Sequence, residues 1–251
     1  MARFVLVHGA FAGAWCWEPV LPGLRESGHG VEAIDLPGSG EDTTPVADVS
    51  LDAYAKKICE TVAAGPAPVV LVGHSMGGMA ITQAAARCPE PLAALVYVAA
   101  FCPDEGQSLM ELVSYPEAAD DKVQANMVVS GDPPVAELKG EGAVEAIFNC
   151  CTPEQAEWGE RMHGPQPIGA FEGRLTVADD KRDALERLPR AYVICTQDHA
   201  IPPRMQRRML TDRGCDPVLE IDTDHAPYLS RTDELVAALN EIANALAPAP
   251  A

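Results

Sequence analysis

The sequence lacks the long apolar runs of a membrane protein. No stretch approaches the roughly 18 consecutive apolar residues that are typical of a transmembrane helix. The first apolar segment, Arg3–Val7, is too short for the apolar part of a signal peptide and instead has the pattern of a buried strand. We therefore expect no membrane partner and a cytoplasmic location.

Positive charge is also scarce. The chain has 18 lysine and arginine residues against 37 aspartate and glutamate residues, for a net charge of −19, and it has no basic run. Nucleic acid phosphates and anionic lipids would repel such a chain, so nucleic acid is excluded as an expected partner. The acidity mainly predicts a solvated surface, and a preference for neutral or cationic substrates is the weaker alternative.

The eight cysteines include no C-x-x-C pair. Six of them lie in apolar, helix-like or strand-like segments, where a free thiol behaves as a small apolar side chain. We therefore expect free thiols rather than disulfides or metal ligands, and the adjacent pair Cys150 and Cys151 fits this expectation least well. Neither a metal nor an organic cofactor is expected.

The residues that are present predict an α/β fold. Of the 251 residues, 47% are apolar and 22% are charged, which is typical of a globular protein. The first half alternates apolar runs with amphipathic stretches, and this β-α-β order predicts a mostly parallel, doubly wound sheet with helices on both faces. The predicted strands are Arg3–Val7, 31–35, 69–72, 92–100, 191–195 and 218–221.

One long segment interrupts this pattern. Residues 103–188 are polar, acidic and mostly helix-like, so they predict a helical cap inserted into a core domain made of residues 1–102 and 189–251. A last helix is predicted at about 233–246, and the chain end at 247–251 is expected to fray. The sequence leaves open whether the protein is a homo-oligomer.

The chemistry centres on Gly73-His74-Ser75-Met76-Gly77, a G-x-S-x-G motif. It lies directly after a buried strand and directly before a helix, which is the context of a nucleophile elbow. Such a turn exposes the serine hydroxyl at the edge of the sheet, and the glycines avoid clashes with the neighbouring strand and helix. We predict Ser75 as a nucleophile.

A serine hydroxyl needs a base, and a histidine oriented by a buried carboxylate is the usual one. Three histidines follow Ser75, of which His163 falls in the insertion and His199 abuts a strand end. His225 lies in a loop after the last strand, and Asp198 ends the strand before it. In a fold with this elbow the order is serine, acid, histidine, so we predict Asp198 as the acid and His225 as the base.

Asp222 and Asp224 are alternative candidates for the acid, although they are too close to His225 in sequence to hold its ring from behind. His74 is read as a packing or pocket residue, and His8 as a brace for the loop after its strand.

The oxyanion that forms during acyl transfer needs two N–H donors. The N-terminus of the helix after Ser75 offers the N–H of Met76. The loop after the first strand, which begins at Gly9, offers the N–H of Ala10.

Together these motifs resemble one family. The chain is similar to the plant methylesterase and hydroxynitrile lyase family and its bacterial α/β-hydrolase relatives over its whole length, most loosely in the insertion. The segments that carry the resemblance are Phe4–Ala10 (FVLVHGA), Gly13–Trp17 (GAWCW), Gly28-His29, Asp35–Gly40 (DLPGSG), Val72–Gly78 (VGHSMGG), Ala99–Phe101 (AAF) and Ile194–Asp198 (ICTQD).

The resemblance implies an α/β-hydrolase fold, a Ser75–Asp198–His225 triad, donors at Ala10 and Met76, and a helical cap. It also implies hydrolysis of a small carboxylic ester. The lyase branch carries a lysine after the catalytic histidine and a threonine after the histidine of the first loop. Here those positions are Ala226 and Gly9, which disfavours lyase activity.

The substrate pocket is predicted only coarsely. Large apolar residues of the insertion are candidates for an acyl pocket, namely Met110, Leu112, Tyr115, Met127, Phe148, Trp158 and Phe171, and the core adds Gly9, Phe11 and His74. The remaining alternatives are a thioesterase, cyclase or lyase of a biosynthetic pathway, and a ligand-binding protein that kept the triad without using it.

Overall fold

The computed structural model describes residues 1–246, so the fraying expected at 247–251 lies outside the described residues. The strands are β1 (Arg3–Val7), β2 (Gly30–Ile34), β3 (Val69–His74), β4 (Leu92–Val98), β5 (Val128–Ser130), β6 (Val135–Glu137), β7 (Gln166–Pro167), β8 (Arg190–Cys195) and β9 (Val218–Ile221). The α-helices are α1 (Leu21–Glu26), α2 (Leu51–Ala63), α3 (Gly77–Arg87), α4 (Leu109–Leu112), α5 (Lys122–Asn126), α6 (Gly140–Ile147), α7 (Pro153–Met162), α8 (Gly169–Glu172), α9 (Asp179–Arg187), α10 (Pro203–Arg213), α11 (Pro227–Ser230) and α12 (Thr232–Ala245).

Six strands form one parallel sheet in the order β2-β1-β3-β4-β8-β9. The chain runs outward from β1 to β2 and then crosses to β3 on the other side of β1, so the winding direction changes between β1 and β3. The carboxyl edge of such a sheet at this switch point is where ligands bind in doubly wound folds. The prediction of a doubly wound, parallel α/β fold is confirmed.

The sheet is covered on both faces. Along β1 the side chains alternate, with Phe4 and Leu6 in the core shared with α1 and α12, and Val5 and Val7 in the core shared with α2 and α3. This alternation follows from the period of two in a strand. Because the central strands β3, β4 and β8 are buried on both faces, they are apolar at nearly every position, and this is why the sequence shows them clearly.

The start of α2 follows the local chemistry, whereas the first predicted helix differs from the one observed. Ser50 begins α2, and its side chain accepts a hydrogen bond from the N–H of Ala53 at 3.1 Å. The helix expected from Trp15 to Ser27 is instead a 3-10 turn over Ala14–Trp17 followed by α1. Pro22 has no N–H and is tolerated only in the first turn of a helix, so the α-helix begins just before it.

The insertion is not only helical. Besides α4 to α9, it contains a small antiparallel sheet of β5, β6 and β7 that the sequence did not predict. These strands have two or three residues each, which is too short for an alternating pattern to stand out. Helix α10, outside the insertion, was also not predicted.

The expectation that every thiol is free is wrong. Cys59 on α2 and Cys88 directly after α3 form a disulfide, with their Cα atoms 6.2 Å apart. The two helices pack against each other, which brings together cysteines 29 positions apart in the sequence. The spacing alone gave no signal for this pairing. The other six cysteines are free.

None of the helices within residues 1–246 combines the length and the apolar character needed to cross a bilayer.

Candidate active site

Ser75 stands at the sharp turn between β3 and α3. Its φ angle is 52°, in the left-handed region that a residue with a side chain seldom adopts, and its N–H donates to the carbonyl of Val98 at 3.3 Å. A Cβ added to Gly77 would lie 2.7 Å from the main-chain oxygens of Val7 and His8, so only glycine fits there. The surrounding backbone therefore holds Ser75 in a strained conformation of the kind found at functional sites.

Asp198 and His225 form a buried pair at the same edge of the sheet. Asp198 follows β8 and His225 follows β9, and Oδ2 of the carboxylate lies 2.7 Å from Nδ1 of the imidazole. The side chains have relative exposures of 0% and 2%, which leaves no room for water to compete for this contact. Since a carboxylate accepts, Nδ1 carries the proton and Nε2 keeps a lone pair, which is the tautomer of a base.

The Asp198 carboxylate is itself fixed by three N–H donors. Its Oδ1 accepts from the N–H groups of Ala200 and Ile201, each at 2.8 Å. Its Oδ2 accepts from Nε2 of Gln206 at 3.0 Å, and Oε1 of Gln206 accepts from the N–H of Cys195 at 3.2 Å. Gln206 was not predicted as a site residue because α10 was not predicted, although Pro203 at the first helical position is a signal for a helix start.

The rival carboxylates contact other groups. Asp222 is exposed and accepts from Thr196 and Gln197. Asp224 is fully buried and accepts from the N–H of Cys150 at 2.7 Å and from the N–H of Ala226 at 3.1 Å. Among the hydrogen bonds of residues 1–246, neither carboxylate reaches the His225 ring.

His74 and His8 support the site from inside the fold. Nε2 of His74 donates to the carbonyl of His225 at 2.7 Å, and the two rings lie 4.5 Å apart. Burial, together with the proximity of His225, holds the pKa of His74 well below its usual value, so His74 is neutral. His8 accepts from the N–H of Leu36 at 3.0 Å and donates to the carbonyl of Gly9 at 2.8 Å, which ties the loops after β1 and β2 together.

His199, the other histidine near the end of β8, is not part of the site. His199, although adjacent to Asp198, is exposed and donates through Nδ1 to the carbonyl of Glu145 at 3.0 Å.

Ser75 and His225 line one cavity of about 680 Å³, the open space at its mouth included. The lining residues are Ala10, Phe11, His74, Ser75, Met76, Phe101, Leu109, Met110, Val113, Asp121, Val123, Gln124, Met127, Ile147, His163, Phe171, Ala200, Ile201, His225 and Tyr228. No hydrogen bond joins the Ser75 hydroxyl to the His225 ring among the residues described.

The pocket residues expected from the sequence divide into two groups. Phe11, His74 and Met127 line the cavity, as do Met110 and Phe171 of the insertion, whereas Gly9 and Phe148 do not. Gly9 lies behind Ser75, where an added Cβ would be 2.7 Å from the serine Cβ. Phe148 packs in the core on the β1 face that contains Phe4 and Leu6. Leu112, Tyr115 and Trp158 are likewise absent from the lining.

Two residues of the lining have backbone N–H groups without a hydrogen-bond partner among the described residues. Ala10 and Met76 both line the cavity, and none of the hydrogen bonds within residues 1–246 uses either N–H. Met76 precedes the first residue of α3, so its N–H lies at the positive end of the helix dipole.

Three polar residues in the lining, Asp121, Gln124 and His163, come from the insertion and were not predicted as site residues. His163 donates weakly through Nδ1 to the carbonyl of Leu138 at 3.4 Å, and burial lowers its pKa to about 4. Asp121 has a relative exposure of 8%, and burial raises its pKa. All three belong to short segments without strong periodicity, so no sequence pattern indicated that they line the cavity.

The fold and the site together define a doubly wound α/β protein with a serine at a strand-to-helix elbow and a buried Asp–His pair at the same sheet edge. A model of the alpha/beta hydrolase family matches residues 4–238, and the chain belongs to that family.

Curated relatives match almost the whole chain. Methylesterase 7 of Arabidopsis thaliana is 33% identical over 255 residues, which cover 96% of this chain and 96% of that protein. Norfluorocurarine synthase 1 of Strychnos nux-vomica is also 33% identical over 255 residues, covering 96% of this chain and 95% of the relative. Among solved structures, polyneuridine aldehyde esterase superposes with a TM-score of 0.86 at 28% identity, over 97% of this chain and 99% of that one.

Proposed function

We propose that this chain hydrolyses small carboxylic esters by acyl transfer through Ser75, with His225 as the base and Asp198 as the residue that orients it. The observation that carries the proposal is the 2.7 Å contact between Asp198 and His225, buried in the wall of the cavity that also holds Ser75. The esterase names of the relatives support the same reaction class.

In the first step Nε2 of His225 takes the proton of the Ser75 hydroxyl as Oγ attacks the ester carbonyl carbon. The carbonyl oxygen becomes an oxyanion, which accepts hydrogen bonds from the N–H groups of Ala10 and Met76. His225 then gives its proton to the leaving alcohol, and an acyl-enzyme remains. Asp198 stabilises the imidazolium that forms transiently.

In the second step water repeats the sequence. His225 takes a proton from water, the hydroxide attacks the acyl carbon, and the proton returns to Ser75 as the acid leaves. Electrons and protons balance with ester and water alone, so the proposed reaction uses no metal and no organic cofactor.

Residues 103–188 act in this proposal as a cap over a core domain of residues 1–102 and 189–251. The support is the cavity lining, half of which comes from the insertion while the proposed catalytic groups come from the core. Caps of this kind gate access and exclude water. The small-molecule partner is accordingly an ester with an apolar body.

The test is hydrolysis of p-nitrophenyl acetate, butyrate and octanoate by the wild-type protein and by Ser75→Ala, with Ser130→Ala, a change at an exposed serine outside the cavity lining, as the matched serine control. We expect activity in the wild type and the control, and a loss on the order of 10⁴-fold or more in Ser75→Ala. Equal activity in all three proteins would overturn the proposal. The change in activity from acetate to octanoate also indicates the length of acyl chain that the site accepts.

A second candidate is lyase or other synthase chemistry on the same residues, because one relative at 33% identity is named a synthase. Hydroxynitrile cleavage remains disfavoured, since Ala226 and Gly9 replace the lysine and threonine of the lyase branch. Assays of thioesters and of cyanohydrins beside the p-nitrophenyl esters separate these activities. Tight ligand binding without turnover would favour a binding protein instead.

The cytoplasmic location stays part of the proposal, and fractionation of cells that express the full chain tests it. The oligomeric state is open to sedimentation measurements.

A further inference from the structure

The cavity that holds Ser75 contains one carboxylate that the proposed reaction does not use. Asp121, at the start of α5, is the one lysine, arginine, aspartate or glutamate residue in the described lining. Its relative exposure of 8% shows that it is largely buried, so its interactions are screened little by water.

Burial raises the pKa of Asp121, whereas its hydrogen bonds favour the ionised form and leave acceptor capacity. Oδ1 accepts from the N–H groups of Val123 and Gln124 at 2.7 and 3.2 Å, and Oδ2 accepts from Nε2 of Gln124 at 3.1 Å. A carboxylate can accept about four hydrogen bonds, so Oδ2 retains one free position. The contacts to the backbone also cap α5. Capping explains why an aspartate occupies position 121, but it does not explain why that aspartate lines the cavity.

Asp121 has no cationic partner among the described residues. Its neighbour Asp120 is exposed and pairs with Arg204 at 2.8 Å, whereas the ion pairs within residues 1–246 do not include Asp121. The other polar groups nearby do not compensate. Burial lowers the pKa of His163 to about 4 and holds that of His74 well below its usual value, so both rings are neutral near pH 7.

His163 supplies a second hydrogen-bond acceptor without a partner among the described residues, a neutral imidazole nitrogen. Because Nδ1 donates to the carbonyl of Leu138, Nε2 carries the lone pair, and no hydrogen bond of the described residues occupies it. The non-catalytic part of the cavity thus offers unpaired acceptors and a negative charge, and no cation.

We propose that the cavity binds esters that carry a cationic ammonium group, which pairs with Asp121, and disfavours esters that carry a free carboxylate. This inference rests on the proposed esterase function and names the substrate class of that site. The ammonium N–H groups would occupy the free position on Oδ2, while the apolar lining residues contact the rest of the molecule.

The electrostatics decide the direction of the preference. An ammonium group loses hydration on entering the cavity, and its attraction to Asp121 offsets that cost, so the absolute preference over a neutral ester is modest. A carboxylate loses hydration and is also repelled, so both effects act against it. The acid released by hydrolysis is an anion, and the same repulsion favours its departure.

The test compares methyl esters that differ at one terminal group: methyl 4-aminobutanoate is cationic, methyl pentanoate is neutral, and monomethyl glutarate is anionic. The kcat/KM values are measured for the wild type, for Asp121→Asn and for Asp120→Asn. Asparagine keeps the Oδ1 contacts that cap α5 and removes the charge. Asp120→Asn removes the same charge from an exposed position and is the matched control.

In Asp121→Asn we expect the ratio of cationic to neutral kcat/KM to fall about tenfold and the ratio of anionic to neutral kcat/KM to rise by a similar factor. Asp120→Asn should leave both ratios within about twofold of the wild type, because an exposed and paired charge acts weakly. Ratios are used because Asp121 also interacts with the charge of His225, which affects every substrate alike.

Unchanged ratios in Asp121→Asn, or equal changes in both variants, would overturn the inference while leaving the esterase proposal intact. Failure of the wild type to hydrolyse methyl pentanoate or any p-nitrophenyl ester would instead overturn the esterase proposal. If Asp121→Asn does not fold, Asp121→Ser, which also caps helices, replaces it.

Discussion

His74 donates a hydrogen bond from Nε2 to the main-chain carbonyl of His225 at 2.7 Å. One of these residues immediately precedes the elbow serine, and the other carries the proposed base. The contact therefore fixes the loop after β9 against the end of β3, and with it the position of the His225 ring relative to Ser75.

We expect His74→Ala to lower kcat about 100-fold, because a small displacement of a catalytic ring has an effect of this size. His74→Gln should retain kcat within a few-fold of the wild type, since its amide nitrogen can reach the same carbonyl. Steady-state kinetics with p-nitrophenyl butyrate, together with thermal melting, check both variants. A fully active, stably folded His74→Ala would contradict the positioning role.

Asp198→Asn is expected to lower kcat on the order of 10⁴-fold, because an amide does not enforce the Nδ1–H tautomer of His225 or stabilise its charged form. Asp222→Asn is the matched control. The Asp222 carboxylate lies on the loop after β9, which also carries His225, but it contacts Thr196 and Gln197. Activity should therefore remain close to that of the wild type. If the two variants lost activity equally, the assignment of the acid would be wrong.

The buried His163 predicts a loss of stability in mild acid. Its pKa is lowered to about 4 in the folded chain, against about 6.5 in an unfolded one. As the pH falls through this window the unfolded chain binds the proton first, so the free energy of unfolding decreases.

The contribution of neutral His163 to the free energy of unfolding is fully present above pH 6.5, and about 3 kcal/mol of it is lost by pH 4. Urea unfolding at pH 7, 5.5 and 4.5 measures the effect. His163→Asn can still donate to Leu138 but does not titrate, so its stability should fall less steeply with decreasing pH. Parallel pH profiles for the variant and the wild type would refute this explanation.

The Cys59–Cys88 disulfide predicts a stability that depends on reductant. It closes a segment of 29 residues, and a cross-link of this length contributes about 3–4 kcal/mol by restricting the unfolded chain. For a chain of this size we expect the melting temperature to drop by roughly 10 °C on reduction. Cys88→Ser should melt lower and be insensitive to reductant.

Thiol titration of the denatured protein gives an independent count. Six thiols are expected before reduction and eight after it. Eight before reduction would show that the disulfide is absent under the conditions of purification.

Much of the fold was predictable because its determinants are local. The central strands of the large sheet are buried on both faces and therefore appear as apolar runs, as in Val69–His74. The elbow motif was visible because the backbone at Ser75 is strained and Gly77 has no space for a side chain. By contrast, β5 to β7 are too short to show a period.

The site was predictable only in part, for a related reason. Ser75, Asp198 and His225 follow strand ends, and the carboxyl ends of parallel strands meet at one edge whatever the details of packing. Gln206 reaches the Asp198 carboxylate from α10, and nothing local in the sequence marks that contact.

The sequence by itself determined the parallel sheet, the elbow and the order of the residues proposed to act, because apolar periodicity and turn chemistry are properties of neighbouring residues. Only the tertiary structure decided which thiols pair, which apolar residues of the insertion line the cavity, and that Asp121 and His163 face it. Those contacts join residues far apart in the chain, and their geometry depends on how the insertion packs over the sheet.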